Sequence, residues 1–79
     1  MNKERRAELY DVISSLDEAT DRLQEISDDE EETYDNLSPG LQYGRTGESI
    51  QNSIEKLQGF VAEIDNIKQK IENMAKGKK

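Results

Sequence analysis

Six carboxylates, Asp17, Asp21, Glu25, Asp28, Glu32 and Asp35, recur at steps of three and four residues. On a helix that spacing sets charges about 5–6 Å apart along one face. Three kinds of chemistry use such a set: acid–base catalysis, cation binding, and mimicry of a phosphate chain. Catalysis needs a carboxyl that burial has shifted in pKa, and these six belong to an outward face. The chain has no His and no Cys, which removes the commonest general base and the thiolate metal ligands. Ser14 and Ser15 have no His to activate them. The five consecutive acids at 28–32 point around the whole circumference of a helix, so they cannot converge on one ion, and their spacing is not that of an EF-hand loop. The glycines of 40–48 lack the Lys-Ser/Thr of a phosphate-binding loop. The expectation is a protein that is not an enzyme and holds neither metal nor cofactor.

The stripe also has an electrostatic meaning. Like charges at these steps oppose a helix by a few tenths of a kcal/mol per pair. Only Arg22 and Arg45 lie nearby in sequence to offset them. A protein partner with a basic surface would make use of such a face; the plainer reading is an acidic face kept solvated for solubility. Net charge is −7, with 13 acidic and 4 basic residues in 1–36. That field disfavours direct binding to DNA or RNA, and the basic tail Lys76, Lys78 and Lys79 is too short to outweigh it.

Positioning such a stripe requires long helices, and the apolar pattern supplies them. Leu9, Ile13, Leu16, Thr20, Leu23, Ser27, Glu30 and Tyr34 step by alternating fours and threes, as do Ile50, Ile54, Leu57, Val61, Ile64, Lys68 and Ile71. A 3.5-residue repeat marks helices packed along a shared seam, and strand-like alternation by twos is absent. Only 16 of the 79 residues are Leu, Ile, Val or Phe, so it is their arrangement that lifts the chain above the compositions that stay disordered. The spacing predicts helices over about 3–35 and 46–76, a turn over 36–45 and a short basic tail at 77–79, all in one small all-α domain. Asn2 suits the start of the first helix, and Gly77 with its neighbouring lysines the end of the second.

The turn concentrates the punctuation: the only proline and three of the five glycines fall within 35–48. Ser38-Pro39 reads as a cap followed by proline at the first position of a short helical turn. Leu37, Leu41 and Tyr43 are expected to plug the end of the hairpin, and Gly44 and Gly47 to loosen the chain before the second helix. Either Gly44 or Thr46 caps that helix. The reversal gives an antiparallel hairpin in which facing residue numbers add to about 84. Gly59, inside the second helix, is either a tolerated weak spot or a point of close backbone approach.

Two helices leave the flank of the stripe wet. Val12, Ile26, Phe60, Ile67 and Met74, together with Ala19, are the residues a second hairpin would cover. Charge favours an antiparallel homodimer, a four-helix bundle: 1–8 and 70–79 together carry 7 basic and 3 acidic residues, whereas 25–48 carries 1 and 8. No apolar run approaches the roughly 18–20 residues that span a bilayer, and no signal-peptide pattern opens the chain. The expectation is a cytoplasmic protein without membrane contact.

The corner "YDNLSPGLQYGRTGESIQNSIEKLQ" resembles a recurring turn in small acidic helical-hairpin proteins of phages and prophages of Gram-positive bacteria. Those carry Asn-Leu-Pro-x-x-Leu-Gln, then a Ser-x-x-Gly-Glu entry into a second amphipathic helix. Asp35, Asn36, Leu37, Leu41, Gln42, Tyr43, Gly47 and Glu48 match that pattern. The proline comes one place later, at Pro39, and Gly44 stands where the capping Ser would be. The resemblance implies a phage or prophage accessory protein in a bacterial host cell. Residues and resemblance together suggest a non-enzymatic interaction module that works through self-association and its acidic face. The alternative is a nucleic-acid mimic that inhibits a host DNA- or RNA-binding enzyme.

Overall fold

The computed structural model describes residues 1–77. Helix α1 spans Lys3–Asp35, a single turn α2 spans Pro39–Gln42, and α3 spans Arg45–Ala75. The long helices pack against each other as an antiparallel pair, with principal extents of 58 × 20 × 11 Å. The smallest extent is about one helix diameter, so the molecule is a single layer.

Local chemistry explains where each helix begins and ends. Asn2 is extended, and its Oδ1 accepts from the Arg5 backbone N–H at 2.8 Å, which satisfies one of the free amides of the first turn. At the far end Asn36 and Leu37 donate to the carbonyls of Glu32 and Tyr34, both at 3.1 Å. Ser38 turns the chain into an extended conformation and Pro39 starts α2. The Ser38 side chain makes no cap bond; its carbonyl accepts from Leu41 and Gln42, both at 3.0 Å. Gly44 is the residue before α3, capping through its backbone only, and its carbonyl accepts from Glu48 at 3.0 Å. Thr46 therefore lies inside α3, which starts and ends one residue earlier than its periodicity predicts. Gly77 closes α3 with φ +79 and donates to Met74 O at 3.1 Å, a left-handed conformation that glycine adopts without a Cβ penalty. The lysines expected to assist there, Lys78 and Lys79, lie outside the described residues.

Every seam residue named from the sequence is buried or half-buried, and the seam continues to Ala75, 2% exposed. The register follows from a contact across it: Lys68 Nζ meets Asp17 Oδ1 at 2.6 Å. Those two numbers add to 85, within one of the expected value. The burial is thin. Among the described residues only Ile54 and Ala75 are fully buried apolar side chains, with Ser27 beside them at 1%.

Two expectations about the corner and the start of α3 need correction. Leu37 is half-buried, but Leu41 is 50% and Tyr43 88% exposed, so Tyr43 does not plug the hairpin. The one-turn α2 instead packs on α3 through its backbone. Gly47 is not a loosening residue. It is buried inside α3, and a Cβ there would stand 1.9 Å from the Gln42 carbonyl oxygen. The close backbone approach expected as one reading of Gly59 occurs at Gly47, whereas Gly59 has open space around it.

Candidate interaction surfaces

The hairpin has two long sides, and specific contacts identify them. On one side Ile26 and Glu30 of α1 share a shallow groove with Ser53, Lys56, Leu57 and Phe60 of α3. Steps of seven residues extend that side from Ile26 to Ala19 and Val12, and from Phe60 to Ile67 and Met74. Val12, Ile26, Phe60, Ile67 and Met74 are each about half exposed, between 45 and 57%. The five residues expected to mediate self-association therefore form one apolar flank along the layer.

On the other side Lys68 reaches out of the seam between Asp17 and Asp65, at 2.6 and 3.4 Å. Hydrogen bonds to Asp17 first and Asp65 second hold its ammonium above the ordinary lysine range. Near the open end Lys76 pairs with Glu72 at 2.7 Å; the same hydrogen bond raises Lys76 and lowers Glu72. These are exposed pairs, each worth little on its own. The Asp17 contact corrects the expectation that only Arg22 and Arg45 lie close enough to offset the stripe. Its sequence signal was a lysine at a seam position with an acid one residue from the facing register.

The remaining carboxylates behave differently. Asp21, Glu25, Asp28, Glu32 and Asp35 are all exposed, and none makes a salt bridge among the described residues. Asp28 Oδ1 accepts from Gln24 Nε2 at 3.0 Å, a bond that leaves its charge uncompensated. At about 100° per residue the six acids fall within an arc of roughly 80°, facing away from Val12, Ala19 and Ile26. The apolar flank and the acidic stripe are thus separate surfaces of the same helix, and one can be covered without hiding the other.

One further polar contact was not legible beforehand. Gln42 Nε2 donates to Tyr34 O at 3.0 Å across the corner, satisfying a carbonyl that the end of α1 leaves open. Among the described residues no group of three or more His, Cys, Asp or Glu converges to hold a metal ion. No helix among them is long and apolar enough to cross a membrane. Comparison with protein-family models, curated proteins and solved structures found no match.

Proposed function

We propose that this chain is a non-enzymatic interaction module whose acidic stripe binds a protein with a basic surface while its apolar flank mediates self-association. One observation carries the reading. Five carboxylates stand exposed along one side of α1 with no ion pair among the described residues, where their mutual repulsion opposes the helix and no salt bridge among those residues returns that energy. A basic partner surface would return it, through complementary potential that also speeds encounter. The resemblance of the corner to phage and prophage hairpins supports reading this module as an accessory protein that acts in the cytoplasm of a bacterial host. The regular spacing of the carboxylates favours a narrower second reading, a nucleic-acid mimic that occupies the binding groove of a host DNA- or RNA-binding enzyme.

The test is a quadruple variant, Asp21→Asn, Glu25→Gln, Asp28→Asn and Glu32→Gln, compared with the unaltered chain in capture from a Gram-positive host lysate. The variant should fold at least as stably, since it removes like-charge pairs, and should lose the captured partner. Capture by the unaltered chain should weaken steeply between low and physiological salt, because exposed charges are screened over about 8–10 Å. A captured nuclease or polymerase supports the mimic. Equal capture by both chains, with the variant precipitating sooner, would show that the stripe serves solubility alone.

A further inference from the structure

The accessible surface of the hairpin is 6143 Å². A compact monomer of this 9.0 kDa mass exposes roughly 4,900 Å². The excess, about 1,200 Å², is larger than the roughly 800 Å² that each partner contributes to a standard interface. It belongs to a layer one helix thick, and Val12, Ile26, Phe60, Ile67 and Met74, five of the nine exposed large apolar residues, line one flank of it.

We infer that a second copy of this chain covers the flank, running antiparallel, with the two-fold axis passing through the layer of Ala19 and Ile67. This rests on the self-association part of the proposed function, and it adds an orientation and a set of contacts. Two single layers stacked face to face allow two symmetric arrangements. If the axis runs along the hairpin, the two acidic tips coincide. If it runs across the hairpin, each tip lies over the basic open end of the other copy.

Charge decides between them. Residues 25–48 carry 8 acids against 1 base, and the described part of the open end, 1–8 and 70–77, carries 5 bases against 3 acids. The crossed arrangement stacks α1 on α1 and α3 on α3. Val12 then meets Ile26 of the other copy, and Phe60 meets Met74. Ala19 and Ile67 each meet their own equivalents, the small residue letting the α1 pair approach at the axis. The same symmetry sets the acidic closed end of each copy over the open end of the other. Charge sets the orientation, and the flank residues set the register.

Cysteine crosslinking of the full chain tests this, since it has no native Cys. Sedimentation should give twice the 9.0 kDa chain mass. Ile67→Cys alone should oxidise to a covalent dimer. Separately prepared Phe60→Cys and Met74→Cys chains, mixed, should give a crosslinked heterodimer; Phe60→Cys mixed with Ile26→Cys should not. The reverse pattern, with 60 linking to 26 across chains, would establish the parallel arrangement and overturn the inference. A monomer at every concentration would overturn it as well. Neither result touches binding at the acidic stripe, so the two proposals fail separately.

Discussion

Gly47 and Gly59 sit twelve residues apart in one helix, and alanine at the two positions should act in opposite directions. In both places the intrinsic gain is the same in kind: alanine is favoured over glycine in a helix by up to about 1 kcal/mol. At Gly59 no atom lies within 4 Å of the added carbon, so Gly59→Ala should stabilise by about 0.5–1 kcal/mol. At Gly47 the added carbon would stand 1.9 Å from Gln42 O, 2.5 Å from its carbonyl carbon and 2.8 Å from its Cα. These are backbone atoms that no rotamer change can move. Restoring contact at about 3.5 Å displaces α2 and breaks the Gln42–Tyr34 hydrogen bond, worth about 1 kcal/mol net. Overpacking adds about 1–3 kcal/mol. Set against the helix gain, Gly47→Ala should destabilise by about 1–3 kcal/mol. For a chain of this size the two variants should melt at least about 6 °C apart. Circular dichroism melts at one protein concentration are the assay, because self-association ties stability to concentration. If Gly47→Ala melts at or above Gly59→Ala, α2 does not press on α3 and the account of the corner is wrong.

Ser27 is 1% exposed, and its Oγ has no hydrogen-bond partner. Ser27→Ala removes an unsatisfied hydroxyl and improves helix propensity, so it should stabilise by about 1–2 kcal/mol in denaturant titrations; a loss would mean the hydroxyl is bonded. Lys68 has a raised folded pKa, so its contribution is complete below the ordinary lysine value and is lost as pH rises through the folded one. Asp17→Asn should bring the Lys68 titration, followed by NMR, back toward the ordinary value and flatten that alkaline loss. An unmoved titration would show that the pair does not persist. Glu72, lowered by Lys76, has the opposite sign: its contribution holds above the ordinary carboxylate value and fades as pH falls, and Lys76→Gln should remove that acid-side dependence from the melts.

The helices, the single reversal and the register were legible in the chain because each rests on a local or periodic rule. A repeat of threes and fours states which side of a helix leaves water, and one proline among clustered glycines states where the chain turns. Asn2 and Gly77 act within a single turn of their own helix ends, and the flank of Val12, Ile26, Phe60, Ile67 and Met74 follows from the same periodicity. The acidic stripe was equally visible as a pattern. Folding added the knowledge that, among the described residues, five of its members make no ion pair and that Asp17 makes one. That distinction needed the meeting of Lys68 with Asp17, which are 51 residues apart. The two α3 glycines look alike in sequence; only the descent of α2 onto α3 makes Gly47 obligatory and leaves Gly59 free. Tyr43, apolar enough to suit a plug, points outward because backbone packing of α2 on Gly47 already closes the corner. Periodicity fixes the faces of each helix, whereas a close approach or a crossing charge depends on how distant segments stack, and no local rule contains that.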